Sequence, residues 1–159
     1  MKKRLILLSA LIIVIMSTAL ILSRPKGLTS KESLVKRVME IQLTIGEVTD
    51  NEASELRKNI ILTSEKLDPS CIPGLEALGI TILSPSEIEQ KTKEEGNFKF
   101  LVFNDITIDE KEAIITLNTI YTRQEDKKIV YKDFSGLTIR FHKYFGRWFE
   151  DPSREIYCI

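Results

Sequence analysis

One histidine, two cysteines and one tryptophan are all that this chain of 159 residues offers of the side chains that most often hold metals or make reactive nucleophiles and bases. A zinc site needs clustered Cys or His ligands; His142 with Cys71 and Cys158, the cysteines 87 residues apart, supplies no such cluster. With seven glycines in all, the chain has no Gly-x-Ser-x-Gly elbow, no phosphate-cradling loop and no Gly-x-Gly-x-x-Gly, so the common signatures of hydrolases, nucleotide-binding proteins and dinucleotide-binding proteins are missing. It also has no Asn-x-Ser/Thr acceptor. No catalytic, cofactor-binding or metal-binding residue is assigned from the sequence, and no cofactor is expected.

Acidic residues are missing from residues 1–26, which carry Lys2, Lys3, Arg4, Arg24 and Lys26. The whole chain balances at 23 basic and 23 acidic residues, so residues 27–159 hold 18 against 23, a net charge of about −5. An acidic domain repels phosphate backbones, and nucleic acid is not expected as a partner.

What the N-terminus does have is an uncharged run over residues 5–22, LILLSALIIVIMSTALIL, behind the Lys2-Lys3-Arg4 cluster. A basic start followed by an apolar core is the pattern of an export signal. The run is long for a cleaved signal core and just long enough to span a bilayer. Two expectations follow. Residues 5–22 anchor a single-pass protein in the cell membrane with the rest outside the cytoplasm, or cleavage after Ser17-Thr18-Ala19 releases it, secreted or periplasmic. No cysteine follows the run to take a lipid. The division is residues 1–26 as signal-anchor or signal peptide with linker, and 27–159 as one extracytoplasmic domain.

Thr29-Ser-Lys-Glu32 reads as a capping box. Leu34, Val38, Ile41 and Ile45, flanked by Val35 and Met39, then form one face at helical period, closed by Gly46. Residues 49–58 are polar, with room for a short helix over 52–57. Asn59–Thr63 and Gly79–Leu83 are short strand-like runs, separated by a Pro-rich loop, Lys66–Gly74. Ser84-Pro-Ser-Glu87 is a second capping box opening a helix that stops near Gly96. Phe98–Ile106, Ala113–Tyr121 and Leu137–His142 read as strands, with a polar tip at Arg123–Lys128, a turn at Gly146 and a return from Trp148. The expected class is α+β: an N-terminal membrane helix, then an amphipathic helix on a curved antiparallel sheet, cystatin-like or nuclear-transport-factor-like.

Leu67-Asp-Pro-Ser70 with Ile72-Pro73, then Ile82-Leu-Ser-Pro-Ser-Glu-Ile-Glu89, Phe98-Lys-Phe-Leu-Val-Phe103 and Gly146-Arg-Trp148 occur in this order. Together, over about residues 59–150, they resemble a group of small exported bacterial proteins with no assigned activity. The resemblance implies export and a small α+β domain, and no catalytic residues. The chain departs from that group's pattern where Cys71 and Cys158 stand in place of an aromatic.

Outside the cytoplasm Cys71 and Cys158 can form a disulfide tying the Pro-rich loop to the C-terminal strand. Alternatively they are two small buried apolar side chains, or Cys71 is a nucleophile with His142 as base. His142 alone is a candidate base or pH sensor, or an ordinary exposed histidine. Asp105, Asp109, Glu110 and Glu112 surround a turn, but lack calcium-loop spacing and enclose Lys111. The C-terminal third is rich in aromatics. Tyr121, Tyr131, His142 and Trp148 are the candidate lining of a pocket between helix and sheet, with Asp133 as a further polar group; the alternative is that these aromatics build the core. Two functions are open: a non-enzymatic, membrane-anchored module binding an envelope protein, or a pocket-containing ligand binder or hydrolase-type enzyme of the nuclear-transport-factor-like fold.

Overall fold

A computed structural model describes residues 27–45, 60–125 and 128–158, the last without the Cys158 side chain. The expected anchor or cleavage site, the Gly46 stop and the polar segment 49–58 lie outside the described residues. Among those described, no helix is long and apolar enough to cross a membrane.

The first helix, α1, runs Lys31–Ile45. Its cap is one residue later than the Thr29 box. Ser33 N–H donates to Ser30 Oγ at 3.3 Å, and Ser30 N–H donates to Ser33 Oγ at 3.1 Å. These two serines satisfy donors that the helix start leaves orphaned. Glu32 is thereby free to accept from Ser70 Oγ at 2.9 Å. Leu34, Val35, Val38, Met39 and Ile41 are the buried stripe, as their spacing requires.

A six-stranded mixed sheet lies beneath, in the order β2-β1-β3-β4-β5-β6. Its strands are β1 (Ile61–Thr63), β2 (Thr81–Leu83), β3 (Lys99–Ile108), β4 (Glu112–Glu125), β5 (Lys128–Tyr144) and β6 (Arg147–Cys158). The expectation of a wholly antiparallel sheet is corrected at one edge, where β1 pairs in parallel with both β2 and β3. Parallel neighbours need long crossovers, and both connections are helical. The Pro-rich segment is not an open loop: Pro69–Cys71 forms a 3-10 turn and Ile72–Glu76 forms α2. Pro85–Glu95 forms α3 between β2 and β3. From β3 onward the strands make an antiparallel meander with register shifts at Phe103/Asp105, Thr119/Ile120 and Ile139/Phe141. Such bulges bend a strand and increase its twist.

The expectation of helix on one face alone is also corrected. On one face α1 and α2 share a core with Leu101, Phe103, Ala113, Ile115, Leu117, Leu137, Ile139, Phe141 and Trp148. On the other, Ile88 of α3 packs with Ile61 and Phe100 in a smaller cluster. Arg37 of α1 reaches Glu150 of β6 at 3.2 Å, and Arg154 holds the same carboxylate at 2.7 Å, so α1 is fixed over the β6 edge.

Candidate functional site

Strand register places the four expected pocket residues. Neighbouring residues on a strand point to opposite faces, and register partners share a face. Tyr121 pairs with Lys99, two residues before Leu101, and so lies on the α1 face. Tyr131 pairs with Thr122, on the α3 face, where its ring meets Phe100 edge-on at 6.2 Å. Trp148 pairs with Lys143 on the α1 face and is buried in the core. His142 pairs with Glu112 and Phe149 on the opposite face. Glu112 and Tyr121 stand at opposite ends of β4, about 30 Å apart at strand rise. The four residues thus occupy both faces at both ends of the sheet, and they do not converge on one cavity. Asp133, paired with Ile120, shares the α3 face with Tyr131 and accepts from Asn118 Nδ2 at 3.4 Å.

His142 does have a partner that its sequence position did not reveal. Its Nε2 lies 3.1 Å from Asp151 Oδ2. Asp151 Oδ1 accepts from the Ser153 backbone N–H at 2.8 Å and from the Ser153 hydroxyl. Those two bonds from Ser153, with a smaller contribution from His142, hold the Asp151 carboxyl down at about 2. Serine, carboxylate and histidine are all present, but their order is wrong for nucleophilic catalysis. A catalytic serine must give its proton to the histidine; here Ser153 donates to the carboxylate instead. The arrangement is an Asx turn closing the 151–153 irregularity of β6, plus an ion pair when His142 is protonated.

Cys71 is a free thiol, buried where the 3-10 turn meets α1. Burial pushes its pKa up, the reverse of what a reactive thiolate needs. The Cys158 backbone pairs with Ser135 at the far end of β6, and its side chain lies outside the described residues. The acidic turn between β3 and β4 gathers no ligand set: among the described residues no three His, Cys, Asp or Glu side chains could share a metal ion.

An open cleft of about 660 Å³ lies between α3 and the β1–β3 edge. Its polar groups partner one another: Lys91 pairs with Glu95, Gln90 donates to Glu94 at 2.7 Å, and Glu87 caps Ser84. Of the other polar residues that line it, Lys99 stands over the Phe134 ring with its ammonium 4.0 Å from the ring centre, and Thr81 is exposed.

The remaining feature is apolar. Among the described residues, the exposed large hydrophobic side chains are Tyr131, Phe134, Tyr144, Phe145, Ile156 and Tyr157. All belong to β5, β6 or the turn joining them. Clustered exposed apolar groups mark contact surfaces; here register puts Ile156 with Leu137 on the α1 face, Tyr157 with Gly136 on the other, and Tyr144 with Phe145 at the opposite end of the hairpin. The aromatic richness of the C-terminal third signalled them in the sequence; which were core and which surface needed the register. Comparison with protein-family models, with curated proteins and with solved structures found no match.

Proposed function

We propose that this protein is an exported, membrane-anchored binding module without catalytic activity, whose contact surface is the β5–β6 pair. The observation that carries this reading is the concentration of exposed aromatic and aliphatic side chains on those two strands. β6 is an edge strand, beside which only Leu28 makes an isolated bridge among the described residues. An edge with exposed aromatics suits protein recognition, and an envelope protein is the partner class that fits export. The basic cluster and apolar run of residues 2–22 support anchorage, with the domain outside the cytoplasm. Release after Ala19 is the alternative for location.

The fold reads best as a cystatin-like variant. α1 precedes and crosses the β3–β6 meander, and the parallel β1–β2 edge with α3 is an addition to it. The nuclear-transport-factor-like pocket needs convergent polar groups. The space it would occupy is filled by Leu34, Val35, Val38 and Met39, and the candidate polar residues are divided between both faces and both ends of the sheet.

A photo-crosslinking residue at Phe134 or Ile156 in the full chain, expressed in its own cells, tests this reading. One discrete adduct is expected from each site and none from Glu94 on α3. Equal labelling from both surfaces, or turnover by the purified protein, overturns it. The intact mass of untagged protein from membranes separates the two locations: full length for the anchor, a start at Leu20 for cleavage.

A further inference from the structure

The turn between β5 and β6 is built against its own sequence preferences. Phe145 has φ 50° and Gly146 has φ 76°. Two successive positive φ values in a two-residue hairpin loop belong to a type I′ turn, whose first central position favours Asn, Asp or Gly. A bulky residue at positive φ is uncommon and strained. Packing gives no compensation, because Phe145 is fully exposed. Tyr144, also exposed, is propped against Phe149 with ring centres 6.2 Å apart. Lys143 and Arg147 flank the pair, Lys143 with its ammonium 5.0 Å from the Trp148 ring centre.

The same hairpin holds the start of the described domain. Leu28 N–H donates to the Trp148 carbonyl at 2.9 Å, and Trp148 N–H donates to the Leu28 carbonyl at 2.8 Å. Gly27 fits closely there: a Cβ would meet Arg147 Cβ at 2.7 Å and Phe149 Cζ at 2.9 Å. From Leu22, the last residue of the apolar run, to Leu28 is six residues, a reach of about 20 Å when extended. From Trp148 to Phe145 is three residues, about 10 Å. The described domain therefore begins about 10 Å from the aromatic tip, and although the antiparallel Leu28–Trp148 bridge starts the chain away from that tip, a reach of six residues exceeds the distance to it.

We propose that the Tyr144-Phe145 tip is a foot that rests in the headgroup region of the bilayer in which residues 5–22 are anchored. Aromatic rings favour the membrane–water interface, and flanking Lys and Arg suit the headgroups. The tip is not a strongly basic patch. Lys143 N–H bonds the Lys111 carbonyl, so the β3–β4 turn with Asp109 and Glu110 stands beside it. The aromatic rings, more than charge, supply the attraction. With the foot down, the domain has a fixed tilt on the membrane instead of swinging on its linker. The inference rests on the anchor reading of residues 5–22.

The test uses the full chain in phosphatidylcholine–phosphatidylglycerol vesicles with brominated acyl chains, which quench tryptophan at the bilayer. Trp148, the one native tryptophan, is buried and sets the background. Phe145→Trp is expected to lose about half its added emission relative to unbrominated vesicles, as a ring at the interface should. Ile156→Trp, near the other end of β6, is expected to lose almost none. Flotation of the same samples reports the anchor. A chain that floats while Phe145→Trp is quenched no more than Ile156→Trp overturns the foot and leaves the anchor standing. A chain that stays at the bottom of the gradient overturns both.

Discussion

The Tyr157 hydroxyl donates to Asn118 Oδ1 at 3.0 Å, across the intervening strand β5. The residue it crosses is Gly136, register partner of both Asn118 and Tyr157. The phenol ring lies where a Cβ at Gly136 would stand. An aromatic ring laid over a sheet glycine covers backbone that would otherwise be wet, and here it also satisfies a buried side-chain amide. Tyr157→Phe is expected to cost about 1–3 kcal/mol, since Asn118 is buried and its oxygen loses its donor. Gly136→Ala should cost at least as much by displacing the ring. Urea midpoints of the two variants and their double mutant check this. The double mutant should be less destabilised than the sum, because both changes remove one arrangement.

Ser84 and Glu87 form both halves of a capping box: Glu87 N–H donates to Ser84 Oγ at 3.3 Å, and Ser84 N–H donates to Glu87 Oε2 at 2.7 Å. Few other contacts hold α3, since Ile88 and Thr92 are its buried residues. Ser84→Ala is therefore expected to cost about 1 kcal/mol, the usual value for a lost cap. Hydrogen exchange should show the loss concentrated in Pro85–Glu95. A uniform loss over the whole sheet would show that α3 and the β1–β3 edge open together with the meander.

Local signals of this kind were legible because they act within a few residues. The Ser84–Glu87 box, the apolar stripe of α1 and the strands β3 and β4 lie close to where spacing puts them, whereas β5 begins at Lys128, nine residues before the alternation at Leu137 that announced it. Sheet direction was not legible. Ile61–Thr63 and Thr81–Leu83 carry three residues each, and so short a run does not say which way its neighbour points. The helical turns inside Lys66–Gly74 were hidden by two prolines that read as breakers. In the structure Pro69 and Pro73 both stand at helix starts, where a missing N–H costs nothing. The candidate site failed for a long-range reason. Tyr121, Tyr131, His142 and Trp148 share a sequence region, but alternation and strand length send them to different faces and ends. The His142–Asp151 contact depends on the β6 register shift, which no spacing rule anticipates.

The buried Cys71 thiol gives a chemical prediction. Native protein should resist alkylation there, because burial both shields the sulfur and raises its pKa. Denaturant without reductant should expose it to one label, read by peptide mass. A chain that labels at Cys71 only after reduction has bridged it to Cys158, and the thiol is then not free in the native protein.

Acid should unfold the protein through its serine-bonded carboxylates. Asp151 is held at about 2, and hydrogen bonds from serine also lower Glu32, Asp68 and Glu87. In each case the unfolded chain takes up protons first as pH falls. The stabilisation is complete above the unfolded carboxylate range of about 4 and is lost as pH drops toward 2. Urea midpoints should be level from about pH 6 to 5 and fall below about pH 4. Asp151→Asn should lower the midpoint at pH 6 and flatten the acid limb. An unchanged acid limb in that variant would show that Ser153 and His142 do not stabilise the folded charge.

Phe145 links stability to the membrane foot. Asparagine tolerates positive φ better than phenylalanine does, and an Asn-Gly pair is a preferred type I′ loop. Phe145→Asn removes no packing, since the ring touches solvent in the isolated domain. The variant is expected to gain about 0.5–1 kcal/mol of stability in detergent, as strain-relieving turn substitutions do. The gain should show as a higher urea midpoint with an unchanged slope. Strain kept at an exposed position for no folding benefit is the pattern of a contact residue. A stability loss in Phe145→Asn would instead mean that the ring supports the hairpin, and the turn would then need no membrane to explain it.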